Sequence, residues 1–227
     1  MTDLQKQNLQ KPQINHKLIV GGLHGDEGQD LKPIFDKFDN YLSIKYNLND
    51  KFINSENSEI TVIPHLNKNY DEKYISTISK GFLNTNAGKN LTKLLNENSP
   101  NFYIEVHTYE KASYKNLTNE QRYNKTGVPP LVDISNNILV ASVSPLYRNL
   151  LSKNTFCMTL EVPKWKLKDD GINNQTEKED LIDEIISIFK MVLVSNSKDE
   201  LINKLFYEYP NMQKAKNLAI KYNMVFL

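Results

Sequence analysis

Arginine is nearly missing from this chain. Of its 28 basic residues only Arg122 and Arg148 are arginine, in a background crowded with Lys, Asn and Ile. An AT-rich genome explains such a bias, yet an arginine kept against it can make planar two-bond contacts that lysine cannot. Net charge is scarce too. The 28 basic and 27 acidic residues leave +1, which gives no electrostatic case for nucleic acid or an anionic membrane as partner. No apolar run approaches the roughly 20 residues of a transmembrane helix, and residues 1–17 lack the apolar stretch of a secretory signal. Cysteine is down to Cys157, so no intrachain disulfide can form and a reducing cytosol is the natural setting. These absences together set the expectation of a cytoplasmic globular protein, with Cys157 a small buried residue.

Glycine is sparse as well, but unevenly so. Of eight glycines, Gly21, Gly22, Gly25 and Gly28 fall together, which marks a place where the backbone turns tightly or approaches something closely. The apolar run 17–22 just before them reads as a buried strand ending in a loop. Further strands are expected at 59–64, 101–107, 137–143 and 155–162. A helix suits 30–38, with Pro33 in its first turn. Residues 72–98 read as helical in two pieces broken near Gly81, the second at 90–96, and a short helix suits 145–152. From residue 177 Leu181, Ile185, Ile188, Phe189 and Val192 share one helical face, with shorter helices expected near 198–207 and 211–222. Residues 1–15 read as a frayed start. Residues 108–132 read as a long polar loop, which at that length is functional or mobile. Without repeats or linkers, 1–227 reads as one domain. Strands alternating with helices predict an α/β three-layer sandwich on a mixed, mostly parallel sheet, with ligands bound beyond the carboxyl ends of the strands.

Those strand ends carry the chemistry. After the first strand, His24 and Glu27 are three residues apart in the glycine cluster, so one turn can aim both at a point. The third strand ends in Glu105-Val-His107, whose first and last residues share a face. Two imidazoles and a carboxylate make the His₂Glu set of a catalytic zinc site, with a fourth position left for a water of pKa about 7. An HxxE is common by chance, and strand-end histidines also cap or face solvent. His65, one of four histidines, is a rival ligand that lacks an acidic neighbour on its face. Glu105 could orient His24 or His107 through the imidazole's second nitrogen, or simply face solvent. Glu161, late in an apolar strand, is costly to bury unless paired or used. It could move a proton beside a metal or be an edge carboxylate.

Gly22-Leu-His24-Gly-Asp-Glu27, then Glu105-Val-His107, then Leu160-Glu161-Val-Pro163 resembles the zinc carboxypeptidase superfamily. The likeness is nearest the succinylglutamate desuccinylase and aspartoacylase branch, and an uncharacterised archaeal family close to it. It covers about residues 17–165. The resemblance implies one zinc ion held by His24, Glu27 and His107, with Glu161 as general base and acid. Glu105 stands where that superfamily usually has an orienting Asp. It implies hydrolysis of an amide in an N-acyl amino acid or small peptide-like substrate. A metallo-carboxypeptidase, or a non-catalytic zinc- or ligand-binding module on the same fold, are the alternatives. The superfamily's Asn-Arg pair, which grips a substrate carboxylate, has no counterpart in 66–70 or 79–88, where no arginine occurs. Arg122 and Arg148 are the remaining candidates for substrate binding, or else surface ion pairs worth at most about 1 kcal/mol. Tyr109, Tyr114 and Trp165 are candidates for lining a pocket.

Overall fold

The computed structural model describes residues 15–46, 52–55, 58–68, 74–168 and 174–222. Among the described residues the seven strands are β1 (Asn15–Gly21), β2 (Phe52–Ser55), β3 (Ser58–Ile63), β4 (Phe102–Tyr109), β5 (Val132–Ser135), β6 (Ile138–Ala141) and β7 (Phe156–Pro163). They form one sheet in the order β2-β3-β1-β4-β7-β6-β5. The central β3, β1, β4 and β7 pair in parallel, and β2, β6 and β5 add antiparallel edges. The helices are α1 (Glu27–Asp30), α2 (Lys32–Tyr46), α3 (Asn86–Asn98), α4 (Tyr114–Leu117), α5 (Arg122–Thr126), α6 (Pro145–Arg148), α7 (Lys164–Leu167), α8 (Asn174–Val194), α9 (Lys198–Glu208) and α10 (Met212–Lys221).

Period-two alternation builds the layers. On one face Ile19, Phe102, Ile104, Val106, Phe156, Met158, Leu160 and Val162 are apolar to the strand ends. They pack with Ile34 and Phe38 of α2 and Ile185, Phe189 and Val192 of α8. The other face begins apolar with Leu18, Val20, Tyr103 and Cys157, covered by Ala87, Leu91 and Leu95 of α3 and Tyr147 of α6. Continuing along that second face, β4 presents Glu105 and His107, and β7 presents Thr159 and Glu161. The core therefore gives way to a polar patch at the carboxyl ends. This is the expected three-layer α/β sandwich. Among the described residues no helix is long and apolar enough to cross a membrane.

The chain runs outward from β1 to β3 on one side and to β4 on the other, so a topological switch point lies between β1 and β4, where such sheets open a crevice. Several expectations need correction. Residues 108–132 are not one open loop. After β4 the chain makes a 3-10 turn at Lys111–Ser113, then α4 and α5, and Leu131 N donates to Leu117 O at 2.9 Å to close the segment. Of the helical piece expected from residue 72 to Gly81, residues 72 and 73 lie outside the described residues. Residues 74–79 are irregular, and Gly81 falls inside a 3-10 turn at Lys80–Asn84. There the Ser79 side chain accepts from Gly81 N at 3.2 Å, a local bond that competes with an α-helix. The frayed start lies, except for Asn15, outside the described residues.

Two strands, β2 and β5, went unread. β5 and β6 form a hairpin through Asn136 and Asn137, both at positive φ (50° and 65°). That is the primed two-residue turn for which Asn is suited. α1 and α7, one turn each, also went unread.

Lys17 is a charged residue in the core, fully buried on the α8 side of β1. Its Nζ donates to Leu193 O and, at 3.4 Å, to Ser58 Oγ. Burial pushes its ammonium down to about 8, with Glu200 pulling weakly the other way. Between pH 8 and 10.5 the unfolded chain holds a proton that the folded chain has released, so folding stability rises with pH in that window. Urea unfolding of wild type and Lys17→Met should therefore show the wild type gaining on the variant between pH 7.5 and 9.5. The gain should be at most about 1.4 kcal/mol per pH unit. A constant difference would mean that Lys17 keeps an ordinary affinity for its proton.

Candidate metal centre

The loop after β1 is shaped by its glycines. Gly22 and Gly25 take positive φ (62° and 40°), and Glu27 N donates to His24 O at 3.1 Å, closing a tight turn. The turn returns Glu27 onto His24, whose backbone N–H donates to Glu27 Oε2 at 3.1 Å. Gly28 answers a different need, because a Cβ there would lie 2.4 Å from the His65 ring. His65 thus packs beneath the loop and is not part of the group formed by His24, Glu27 and His107. Sequence left these two histidines in competition, and the structure places His107 with the triad.

His24, Glu27 and His107 are all buried, and each offers a ligand atom within 4.8 Å of the others. The two imidazoles stack with centroids 5.4 Å apart, and Tyr74 and Phe82 pack on His24 at 4.7 and 5.0 Å. His107 Nδ1 faces Glu27 Oε2 at 3.4 Å, and Nε2 faces Glu105 Oε2 at 3.5 Å. Glu105 is held in turn by Tyr103, whose hydroxyl donates to Oε1 at 2.8 Å, and by Thr159, whose hydroxyl donates to Oε2 at 3.3 Å. Glu105 is thus buried, not solvent-facing. Tyr103 is two residues before Glu105 on the same strand face, a spacing from which its contact was readable.

Burial, with His107 beside it, lowers the His24 imidazole to about 4, so it is neutral at pH 7, the form that ligates a metal. Burial works against charge on His107, but Glu27, Glu105 and Glu161 outweigh it and hold its pKa well above the ordinary histidine value. Three carboxylates thus converge on one imidazole, and His107 Nε2 makes no hydrogen bond among the described residues. Buried negative charge of this density, with two nitrogen donors, fits a divalent cation of the zinc type.

Glu161 lies beside His107, its register partner on β7. Burial raises its carboxyl to about 7. Glu27 and Glu105 add to the rise, while His107 and Arg122 oppose it. The triad, Glu161 and Arg122 line one cavity of about 330 Å³. Arg122 Nη1 donates to Pro129 O at 2.6 Å. Arg148 does not reach the cavity. Its guanidinium donates to Ser152 O at 2.7 Å and Lys153 O at 3.1 Å, satisfying carbonyls of the turn after α6. That expectation is corrected: Arg148 has a local backbone role. Tyr109 lines the cavity, whereas Tyr114 and Trp165 pack on Tyr109 and line a separate pocket beside it with Lys111, Lys115 and Glu177.

Sequence reasoning missed Lys164. Its Nζ lies 2.8 Å from Asp30 and 3.7 Å from both Asp26 and Glu110, tying the loop after β1 to the end of β4. It read α10 as a helix but missed its part in the site, where Leu218 and Ala219 line the cavity.

The length of Glu105 can be tested. Glu105→Asp draws the carboxylate back from His107 while keeping its charge. The fold should persist and zinc affinity should fall by about 10–100-fold, as for other groups that orient ligand histidines, read by competition with a chelating dye. Unchanged affinity would show that Glu105 does not set the orientation of His107.

A protein of Methanocaldococcus jannaschii, named "Uncharacterized protein MJ0501", is 39% identical over 210 residues, 92% of each chain. No solved structure matches the chain. The family described as an uncharacterized protein conserved in archaea, DUF2119, matches residues 12–224, and the chain belongs to that family.

Proposed function

We propose that the protein is a zinc-dependent hydrolase that cleaves an amide bond. The observation that carries this is Glu161. It lies directly across the ladder from His107 and opens on the same cavity as His24, Glu27 and His107, but is not one of the three. A module that only bound metal would gain nothing from a further carboxylate whose charge is opposed by those of Glu27 and Glu105. The ordered motifs shared with the zinc carboxypeptidases support the same reading.

A divalent ion held by His24, Glu27 and His107 would supply Lewis acidity toward a carbonyl and lower the pKa of water. Glu105 holds the His107 ring in place, with Tyr103 and Thr159 holding Glu105. Glu161, with its carboxyl raised to about 7, takes a proton from the attacking water. It then delivers that proton to the leaving nitrogen, a task for which a pKa near the working pH is best.

The test joins metal content with hydrolysis. Purified protein should hold one zinc or take it up on reconstitution, and should release amine from some member of a panel of N-acyl amino acids and short peptides. Substoichiometric metal that does not rise on reconstitution would overturn the reading. Cleavage of C-terminal peptide residues in preference to N-acyl amino acids would mark a metallo-carboxypeptidase. Full metal with no hydrolysis of either class would mark a binding module.

A further inference from the structure

The cavity itself narrows the substrate class. Its 330 Å³ lies at the small end of ligand pockets, which run from about 300 to 1,000 Å³, so a small molecule fits. The strand-end side of the lining carries His24, Glu27, His107 and Glu161. The rest includes an apolar lip built from the segment after β4 and from α10, with Leu117, Val128, Leu131, Leu218 and Ala219. Arg122 stands in that lip. It is the one lysine or arginine among the described lining residues, and no described carboxylate lies within ion-pair distance of it. The bond to Pro129 O ties one Nη to the lip, and a guanidinium carries five N–H donors in a planar fork.

We infer that this cavity takes an amide bearing one carboxylate, bound by Arg122, and an aliphatic or aromatic group, bound by the apolar lip. One cation matches one carboxylate. A second carboxylate on the ligand would find no second lysine or arginine, only hydroxyls such as those of Ser and Thr in a lining that also carries Glu110 and Glu161, and would be desolvated at a net cost. An apolar group on the lip gains about fourfold in affinity per buried methylene. The inference rests on the hydrolase reading for the place of the amide, but not for the carboxylate or the apolar group.

The test is calorimetric titration of zinc-loaded protein, wild type and Glu161→Gln, so that binding is read apart from turnover. The probes are N-hexanoylglycine, N-acetyl-L-aspartate with the same heavy-atom count, N-acetylglycine, and the neutral N-butylhexanamide. N-hexanoylglycine should bind at least about tenfold more tightly than either acetyl compound. Arg122→Ala should weaken it about tenfold or more while moving N-butylhexanamide little, and Leu218→Ser should weaken N-hexanoylglycine but not N-acetylglycine.

Should Arg122→Ala lose the neutral amide as well, Arg122→Lys decides. A restored preference for the acid supports the inference, and none overturns it. Equal or tighter binding of N-acetyl-L-aspartate, or no binding of any probe, also overturns it. Binding with the expected preference but no hydrolysis by the wild type sinks the hydrolase reading and leaves this inference standing. Hydrolysis of amides with no such preference does the reverse.

Discussion

His107→Ala is expected to empty the metal centre. The substitution leaves His24 and Glu27, two donors where three converge within 4.8 Å. Losing a group that merely orients a ligand costs about 10–100-fold in metal affinity, and losing the ligand itself should cost more. Two readouts follow. Zinc measured after dialysis should fall from one equivalent to a trace. The stabilisation of the wild type by excess zinc, about 2.7 kcal/mol at a hundredfold excess over Kd, should vanish from thermal unfolding. The variant without metal should itself be less stable, by about 3–5 kcal/mol, because Glu27 and Glu105 lose the imidazole between them. His65→Ala is the matched control. His65 packs against Gly28 under the loop, so its loss should soften the loop but leave the stoichiometry at one. Metal kept by His107→Ala and lost by His65→Ala would move the site to the other histidine.

That contest shows what a sequence can and cannot say about such a site. The HxxE turn and the Glu-x-His strand end were legible because each is a local pattern, a tight turn among glycines and a period-two strand. That they meet at one point depends on β1 and β4 being neighbours, which no local pattern states. His65 also stood at a strand end, set behind His107 only by the lack of an acidic neighbour on its face, and its packing against Gly28 is what takes it out of the group. Glu105 was readable as an orienting carboxylate, but its choice of His107 over His24 depends on the side-chain length that brings Oε2 to 3.5 Å. α10 read correctly as a helix, yet its part in the cavity comes from docking against the β5–β6 hairpin, a contact made by residues some 80 positions apart. Lys17 shows the same limit. The sequence places residue 17 at the start of a buried strand but says nothing of where its ammonium goes, and the carbonyl of Leu193 and the hydroxyl of Ser58 provide the acceptors that let it be buried.

Glu161→Gln should separate chemistry from binding. Glutamine keeps the shape of the side chain, and position 161 is not among the three ligands, so zinc content should stay at the wild-type level. N-Hexanoylglycine should still bind, since Arg122 and the apolar lip are untouched. Hydrolysis of any amide that the wild type cleaves should nevertheless fall by about 10²–10⁴-fold, the usual loss when a general acid–base is removed. The fall should lie in kcat rather than KM, because the proton moves only on the way to the transition state. Stability should point the opposite way. Glu161 is a carboxylate in a desolvated wall where the charges of Glu27 and Glu105 add to the cost of its own, which lifts its carboxyl to about 7. Relieving that cost should leave Glu161→Gln at least as stable as wild type in denaturant. A residue whose removal preserves the fold and the metal but abolishes turnover is kept for its proton, not for packing. If Glu161→Gln turns over normally, the proton must be carried by another group. If it loses zinc, Glu161 belongs to the coordination set and the assignment of three ligands is wrong.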